Sequence, residues 1–591
     1  MNRALKLVSD RASAAAVASQ LKGKAVRLLS ASMASVVMTG TFAIGMATVE
    51  SRIATRPAQA QSASPNPEIK VGIVQRFGAK KEDKIALAPL AGDQIAVTFK
   101  TGGQDQTITT DRLLIDITMQ PLEAPQLQEW VVLSTHRSFE SAEDSALRWR
   151  NAGIDAEIAQ PDAWQVWAKR DDYSTPVVRR LLLQNLHAAG YTNAFINSQV
   201  IKEVPKVAFT ANGFKYARDV FTITTANRRF QMAQGPAAAG TRYRDIFAGD
   251  LKIQPNSYGN YTLVNQVPVD IYLRGVVPHE IGASAPPKAI EAQAILARTY
   301  ALRNLRRFEI DDYEICADTQ CQVYFGLADT YPVADRAIAA TSGQVLTYNN
   351  ELVDALYSST TGGITARFTD VWNGEDRPYL RPVIDSVQPK WDLAARPLSN
   401  EANFRAFIAL NSGFNEDDWP LFRWNRAASL KEIGDVMKEY LSKRQHPLAN
   451  FSQITGLSVI ERAESGRVQK LQVDTDLGSF ELIKDESVKA LVPPRSLLFY
   501  LEPVMEMPKA AKPEESAIAS KQGSKPSAAE PVLTGYRFVG GGFGHGVGMS
   551  QTGAYNLGKQ GYSSKQILEF YYPGTSLQPI SESTIFYDAD N

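Results

Sequence analysis

The chain has 591 residues, of which 44% are hydrophobic and 21% are charged. It is too long for one hydrophobic core, and this length is typical of about three or four globular domains. The 63 lysines and arginines equal the 63 aspartates and glutamates in number. This balance excludes the strongly basic class of nucleic-acid-binding proteins and gives no sign of a strongly anionic partner.

The N-terminal segment has the pattern of a secretory signal. Basic residues precede the apolar run 28–49, and Ala58-Gln59-Ala60 matches a small-residue cleavage site. We therefore predict a signal peptide over residues 1–60, a linker over 61–68, and export to the periplasm or the cell wall. The alternative is an uncleaved membrane anchor, because the apolar run is long enough to span a bilayer.

Residues 69–125 show the period of β-strands. Short runs such as IKVGIV and QIAVTF alternate apolar and polar residues and are separated by glycine-containing turns. This pattern predicts an N-terminal β segment.

Residues 126–200 have a different pattern. It predicts a strand, a helix over Ser141–Gly153, two strands, a helix over Thr175–Gly190 and a final strand. This β-α-β-β-α-β order resembles that of a SPOR domain, a small module that binds peptidoglycan glycan strands stripped of their peptides. The alternative is an ordinary α+β insertion. The module either interrupts the main domain or precedes it.

The stretch Asp270–Leu302 has the features of a platform for chemistry. Val269–Val277 is predicted as a strand or a short buried helix, and Ser284–Leu302 as a helix in which Pro287 takes the first helical position. Between them, Glu280 lies on a short polar turn. One face of the helix is expected to pack inward through Ile290, Ala294, Ala297 and Ala301. A carboxylate beside a rigid helix is well placed for catalysis.

The same stretch resembles the signature of the SpoIID/LytB family of bacterial cell-wall proteins. The matching residues are Leu273, Val276, Val277, Pro278, Glu280, Ile281, Glu291–Ala294 and Ala297–Ala301. The family includes a lytic transglycosylase that acts on peptidoglycan, and its catalytic acid falls on Glu280. His279 departs from the small polar residue expected there. The resemblance implies an α+β domain over residues 201–504 and 532–591, interrupted by a Lys/Pro/Ser-rich loop, 505–531, that is predicted to be disordered.

A run of serine, threonine and glycine lies within residues 355–370. Such a run cannot form core, and it presents hydroxyls and backbone amides. Family members carry a similar S-x-x-G-G-x-T pattern beside the active site. The resemblance implies substrate binding by Ser359, Thr360, Thr361, Gly362 and Gly363. Two nearby aromatic residues, Trp372 and Tyr379, either stack on sugars or belong to the core.

Gly540–Leu577 resembles the family again. Seven glycines lie within Gly540–Gly553, so we expect neither a regular helix nor a strand there. Its polar side chains, His545 and Gln551, are predicted to bind substrate. His545 either hydrogen-bonds the muramic acid side chain, orients Glu280, or is a turn histidine satisfied by the backbone.

The two cysteines, Cys316 and Cys321, have the spacing C-x4-C. In an exported protein they form a disulfide or remain two free thiols. The alternative, a zinc site, needs about two more ligands, and the CADTQC loop contains no histidine. We therefore predict neither a metal nor another cofactor.

A single prominent carboxylate fits the chemistry that the resemblance implies. Hydrolytic glycosidases generally need two carboxylates. In a lytic transglycosylase the C6 hydroxyl of muramic acid attacks C1, while one carboxyl first protonates the glycosidic oxygen and then accepts the hydroxyl proton. For this role, an apolar wall such as Pro278 and Ile281 would have to raise the pKa of Glu280. The alternative is a structural carboxylate paired with Arg298.

The sequence therefore predicts an exported lytic transglycosylase that cleaves the bond between N-acetylmuramic acid and N-acetylglucosamine in peptide-free glycan strands. The alternative is a non-catalytic glycan-binding protein, because LytB-like members are described as amidase enhancers. The predicted partners are glycan strands and, in the alternative, a cell-wall amidase. A membrane would be contacted only through an uncleaved N-terminal segment.

Overall fold

The computed structural model describes residues 66–235, 245–444, 446–507 and 530–587. The predicted signal peptide, most of the predicted linker and most of the predicted disordered loop lie outside the described residues. Helix accounts for 23% and strand for 38%, which is the mixed α+β composition that the sequence predicts. None of the helices in these residues is both long enough and apolar enough to cross a membrane.

The chain divides into two compact units. Of the described residues, the first unit holds those up to His279 together with Ala301–Thr330 and Pro579–Tyr587. The second holds Glu280–Tyr300 and Tyr331–Gln578.

The first unit is built mainly from strands. In chain order they are β1 (Glu68–Phe77), β2 (Lys84–Pro89), β3 (Ile95–Thr101), β4 (Gln104–Thr110), β5 (Leu113–His136), β6 (Ala156–Ala159), β7 (Trp164–Ala168), β8 (Phe195–Ala211), β9 (Phe214–Ala217), β10 (Phe221–Thr225), β11 (Arg229–Gln234), β12 (Asp245–Ala248), β13 (Asp250–Pro255), β14 (Tyr261–Pro268) and β15 (Ile315–Cys316). Its helices are α1 (Phe139–Asn151), α2 (Pro176–Ala188), α3 (Val269–Arg274) and α4 (Val277–Glu280), of which the last residue belongs to the second unit.

Two sheets organise these strands. One has the order β15-β1-β14-β13-β10-β3-β4, and the other has the order β12-β11-β2-β5-β7-β6, with β8 on β5 and β9 on β8. Strand β1 pairs antiparallel with β14, and β3 pairs antiparallel with β10. Strands from both sides of residues 126–200 therefore share one sheet of the first unit.

Residues 126–200 contain the predicted order of elements, namely β5, α1, β6, β7, α2 and β8. Helix α1 begins after Ser138 rather than at Ser141, because the Ser138 hydroxyl accepts the Ser141 N–H and caps the helix. The buried side chains of this segment include Phe139, Trp149, Trp164 and Leu186. The order of elements does not by itself assign a family, so the likeness to a SPOR domain stays a prediction.

The signature stretch is helical on both sides of Glu280. The segment before it is helix α3, so the strand alternative is wrong, and Glu280 ends the short helix α4 rather than lying on a turn. Helix α5 (Pro287–Arg303) begins at Pro287, because proline has no N–H to satisfy and its fixed φ suits the first turn. Every side chain from Ala292 to Arg303 is buried, so this part of the helix is covered on all faces rather than on one.

The second unit mixes short sheets and helices. Besides most of α5, its helices are α6 (Pro332–Ala340), α7 (Glu401–Ile408), α8 (Leu430–Ser442), α9 (Glu486–Lys489), α10 (Gln551–Lys559) and α11 (Ser564–Tyr571). Its strands are β16 (Gln344–Tyr348), β17 (Glu351–Leu352), β18 (Tyr357–Ser358), β19 (Arg423–Ser429), β20 (Ile454–Arg462), β21 (Val468–Thr475), β22 (Gly478–Ile483), β23 (Phe499–Glu506), β24 (Val532–Gly541), β25 (Met549–Ser550) and β26 (Ser576–Pro579). They form the sheets β17-β16-β26, β18-β25, β19-β24-β23 and β20-β21-β22.

Cys316 and Cys321 form a disulfide, with their Cα atoms 5.6 Å apart. The bridge closes a loop in which the Gln320 side chain accepts a hydrogen bond from Trp164 Nε1 at 3.0 Å. The Gln320 carbonyl also accepts a bond from Arg307 at 3.1 Å. Because Trp164 belongs to β7, the loop fixes the inserted segment within the first unit.

Candidate functional site

The end of helix α4 is held by a residue from the glycine-rich segment. Glu280 is partly buried. Its backbone carbonyl accepts a hydrogen bond from Gln551 Nε2 at 3.0 Å. The same nitrogen lies 3.4 Å from Oε1 of Gln293 on α5. The structure therefore brings Glu280 and Gln551, two residues predicted from separate motifs, into direct contact.

The glycine-rich segment also pairs with the Ser/Thr/Gly loop. Strand β18 runs parallel to β25. Beyond it, the backbone of Thr360 exchanges hydrogen bonds with that of Phe543, at 2.9 and 3.5 Å. The Ser359 carbonyl accepts bonds from the amide and the hydroxyl of Thr552, at 3.1 and 2.9 Å. Ser359 therefore lies next to the start of α10, which carries Gln551.

The glycine-rich segment is more regular than the sequence predicts. It contains the end of β24, all of β25 and the start of α10, so the expectation of neither helix nor strand over Gly540–Gly553 is wrong at both ends. At Gly540 the strand requires a glycine, because a Cβ there would lie only 2.4 Å from the Leu498 carbonyl oxygen. Between the regular parts, Gly542 and Gly544 have φ of +81° and +99°, which glycine adopts without strain.

Both motif loops are built around Glu416, which lies in neither sequence motif. Its carboxylate is fully buried. It accepts bonds from the hydroxyls of Thr360 and Thr361, at 2.5 and 2.9 Å, from the Thr361 amide at 2.9 Å, and from the Gly363 amide. From the other loop it accepts the Ser550 hydroxyl at 2.6 Å. One buried carboxylate therefore joins the Ser/Thr/Gly loop to the segment that presents Gln551.

These bonds change the interpretation of the Ser/Thr/Gly loop. Thr360 and Thr361 are each 1% exposed, and their hydroxyls face Glu416. The sugar-binding role predicted for these two side chains does not fit, because their hydroxyls already serve the fold. Ser359 is partly exposed and forms no bond to Glu416, so its hydroxyl remains a candidate for contact with substrate.

Gly362 and Gly363 are buried and allow close packing. A Cβ on Gly362 would lie 2.7 Å from the backbone of Gly541, and one on Gly363 would lie 2.9 Å from the Phe414 ring. Their φ values, +76° and +90°, also favour glycine. These positions shape the loop from within rather than offering a surface.

Asp385 lies beside Glu416 and is also fully buried. It accepts bonds from Tyr571 at 2.8 Å and from the Asn415 side chain at 2.9 Å. Burial, followed by the negative charge of Glu416, holds the pKa of Asp385 well above its ordinary value. Asp385 therefore keeps its proton to a higher pH than an ordinary aspartate does.

His545 is engaged with the backbone of its own turn. Its Nδ1 accepts the Val547 N–H at 3.0 Å, and its ring packs 5.0 Å from that of Trp372. Burial, followed by the positive charge of Arg467, lowers the pKa of His545 to about 4. A neutral imidazole satisfied by the backbone matches the structural alternative for this residue.

Arg467 is a buried cation beneath the same loops. Its Nη2 donates to the carbonyls of Thr361 and Ile364, at 3.2 and 2.9 Å. Burial lowers the pKa of Arg467 to about 10, which still leaves it charged at neutral pH. A Cβ on Gly546 would lie 2.1 Å from this guanidinium, so the glycine makes room for the arginine.

The two aromatic candidates differ in position. Tyr379 is 5% exposed, packs 5.4 Å from the ring of Tyr348, and accepts the Asp354 amide at 3.0 Å. It belongs to the core. Trp372 is partly buried between Phe368 and His545.

Arg298, the partner considered for Glu280, is fully buried on α5. Its guanidinium donates to the carbonyls of Gln344 and Ile338, at 3.2 and 3.5 Å. These bonds fix α5 against β16 and the end of α6.

His279, which departs from the expected residue type, packs edge-on against Phe325 at 5.0 Å. Its Nε2 is buried and has no hydrogen-bond partner among the described residues. Among all the residues that the structure describes, no cluster of three or more His, Cys, Asp or Glu side chains is arranged to hold a metal ion.

Comparison with known proteins matches these motifs. The family model described as "Stage II sporulation protein" (SpoIID) matches residues 257–348, which include Glu280. This match and the relatives described below support the SpoIID/LytB family for this chain. A second model, described as a domain of unknown function (DUF8618), matches residues 366–548, which include Glu416 and His545.

Three Bacillus proteins are similar to this chain. The "Amidase enhancer" of Bacillus subtilis is 29% identical over 317 residues, which cover 52% of this chain and 40% of that protein. The "Stage II sporulation protein D" of the same organism is 25% identical over 372 residues, covering 59% of this chain and 86% of that protein. The protein of the same name from Bacillus amyloliquefaciens is 23% identical and covers 55% and 77%. The alignment therefore spans less than half of the amidase enhancer.

Proposed function

We propose that this protein is a peptidoglycan lytic transglycosylase with Glu280 as its general acid and base. The observation that carries the proposal is the contact between Gln551 and the Glu280 backbone. It joins the backbone of the signature residue to the second motif. The partly exposed Ser359 lies beside the helix that carries Gln551, because its carbonyl accepts bonds from Thr552.

The reaction needs one carboxyl in two protonation states. The protonated carboxyl of Glu280 gives its proton to the oxygen that links N-acetylmuramic acid to N-acetylglucosamine, and the bond from C1 to that oxygen breaks. The carboxylate then accepts the proton of the muramic acid C6 hydroxyl as its oxygen bonds to C1. The products are a 1,6-anhydro end and a free hydroxyl, and the carboxyl is again protonated. The reaction consumes no water, metal or cofactor.

Substrate contacts are assigned to exposed groups next to these loops. Ser359 retains a hydroxyl for a sugar, whereas Thr360 and Thr361 are bonded to Glu416. Phe543 is 41% exposed, and its backbone is fixed on both sides by Thr360. A rigid exposed ring suits the apolar face of a saccharide.

The proposed substrate is glycan from which the peptides have been removed. Residues 126–200 supply a second glycan-binding surface if their SPOR-like order reflects a SPOR-like function. An exported location, in the periplasm or the cell wall, follows from the signal pattern in residues 1–60.

The second candidate function is enhancement of a cell-wall amidase without catalysis. It is favoured by the name of the Bacillus subtilis relative, "Amidase enhancer". In this case Glu280 would serve glycan binding, and an amidase would be the partner. Retention of the carboxylate favours the enzyme, because binding alone does not require an acid.

The two functions are separated by digesting amidase-treated glycan strands with the mature chain and with Glu280→Gln, and identifying the products by mass spectrometry. Anhydromuramyl products from the wild type alone support the transglycosylase. Reducing ends would indicate a hydrolase with a second carboxylate. Glycan binding without cleavage, together with stimulation of an added amidase, would support the enhancer.

A further inference from the structure

The amide of Gln551 is used within the protein rather than being free for substrate. Its nitrogen donates to the Glu280 carbonyl at 3.0 Å and lies 3.4 Å from Gln293 Oε1. A backbone carbonyl can only accept, so this contact fixes which end of the Gln551 amide faces Glu280. The Glu280 carbonyl is the last of α4, and terminal helix carbonyls lack partners within their own helix. Gln551 therefore caps the helical turn that carries the proposed acid.

Gln551 is itself held in place at its backbone. It is the first residue of α10, and the N-cap Ser550 accepts the Gly553 N–H at 3.0 Å while donating to Glu416 at 2.6 Å. Further along the helix, a Cβ on Gly558 would lie 2.9 Å from Pro286, so α10 packs closely on the start of α5. The side chain that reaches Glu280 thus projects from a fixed helix end.

Gln293 completes the arrangement from α5. It is fully buried. Among the described residues its Nε2 has no hydrogen-bond partner, and the bond from Gln551 is the one formed by its Oε1. The orientation of this buried amide depends on Gln551. Glu280, Gln293 and Gln551, which all belong to the second unit, are therefore linked through two side-chain amides.

We propose that Gln551, with Gln293 behind it, is a positioning residue that holds the Glu280 turn in one place. This role replaces the substrate-binding role predicted for Gln551. That the positioned carboxyl performs catalysis rests on the proposed function. The positioning of the turn by Gln551 does not depend on the proposed function.

The first experiment measures hydrogen–deuterium exchange in the peptide that covers residues 277–286, for the full mature chain. Gln551→Met keeps the length of the side chain and removes both donors. Loss of a hydrogen bond should make exchange in this peptide about threefold to tenfold faster, with no change elsewhere. The matched control is Gln560→Met, an exposed glutamine at the other end of α10, which should behave as the wild type.

The second experiment uses Gln551→Glu across pH. A carboxylate cannot donate to the Glu280 carbonyl, whereas a protonated carboxyl can. The ratio of the exchange rates of this variant and the wild type should therefore fall toward one as the pH is lowered. In the glycan-cleavage assay at neutral pH, kcat should fall about tenfold to a hundredfold in Gln551→Met, with KM unchanged.

The outcomes separate this inference from the proposed function. Equal exchange in Gln551→Met and Gln560→Met would overturn the positioning role, and so would faster exchange spread over the whole chain. A raised KM with unchanged kcat would return Gln551 to substrate binding. If the wild type cleaves no glycan but exchange rises only in the Glu280 turn, the positioning role stands and the transglycosylase proposal fails.

Discussion

The hydroxyl of Ser550 donates a hydrogen bond of 2.6 Å to the buried carboxylate of Glu416. The same carboxylate accepts both hydroxyls of Thr360 and Thr361. Since Ser550 caps the helix that begins with Gln551, the chain of contacts runs from Glu416 through Ser550 and Gln551 to the Glu280 turn. The fully buried Glu416 thereby supports the geometry around the partly buried Glu280.

Replacing Glu416 by glutamine should lower the free energy of unfolding by about 3 kcal/mol, because the new NH₂ group opposes N–H and O–H donors in a buried site. Urea unfolding followed by circular dichroism measures this loss. The matched control is Glu439→Gln on α8, an exposed carboxylate paired with Lys443, which should leave the midpoint unchanged. Equal midpoints for the wild type and Glu416→Gln would mean that the Glu416 bonds contribute little.

Asp385 should make stability fall as the pH rises. Its folded pKa is raised by burial and by Glu416, so the folded state binds the proton more tightly than the unfolded state. The stability contributed by protonated Asp385 is fully present below the ordinary aspartate pKa. It is lost as the pH rises through the pKa of Asp385 in the folded state.

Asp385→Asn tests this dependence, since asparagine keeps an oxygen for Tyr571 and Asn415 and cannot ionise. The melting temperature of the variant should vary less with pH than that of the wild type over the range above pH 4. Parallel curves for the two proteins would show that Asp385 does not titrate across this range.

The sequence predicts the parts of the site that depend on local patterns. Glu280 and Gln551 each lie in a motif, and alternation over neighbouring residues predicts the strands of residues 69–125. The sequence pattern does not decide between strand and helix for the segment before Glu280, since a short apolar run fits both.

Local sequence patterns do not predict the burial of Glu416. It stands in the run Asn415-Glu416-Asp417-Asp418, which has the composition of a solvent-exposed acidic loop. Only Glu416 of the three acids is fully buried, whereas Asp418 is exposed. This difference arises from the approach of Thr361 and Ser550, which are distant in sequence. For the same reason, the sequence predicts which residues of the Ser/Thr/Gly loop carry hydroxyls but does not predict which of these hydroxyls are buried.

The disulfide should contribute about 2 kcal/mol to the stability of the first unit, as expected for closing a very short loop. Dithiothreitol should lower the melting temperature of the wild type and leave that of Cys316→Ser/Cys321→Ser unchanged. Faster hydrogen exchange on reduction is expected in β7, because Trp164 donates to Gln320 of the closed loop. If reduction of the disulfide changes neither the melting temperature of the wild type nor the exchange in β7, Gln320 keeps its position without the bridge.

His545 should make the protein less stable as the pH falls below neutrality. Burial and Arg467 lower its folded pKa to about 4, so the unfolded state takes up a proton first as the pH falls below the ordinary histidine value. Stability contributed by the neutral ring is present above that value and declines from about pH 6.5 to about pH 4. His545→Asn retains an acceptor for the Val547 N–H and cannot titrate, so thermal unfolding between pH 4 and 7.5 should show a shallower acid-side decline than in the wild type. If the wild type and the variant lose stability equally over this window, the imidazole is not the group responsible.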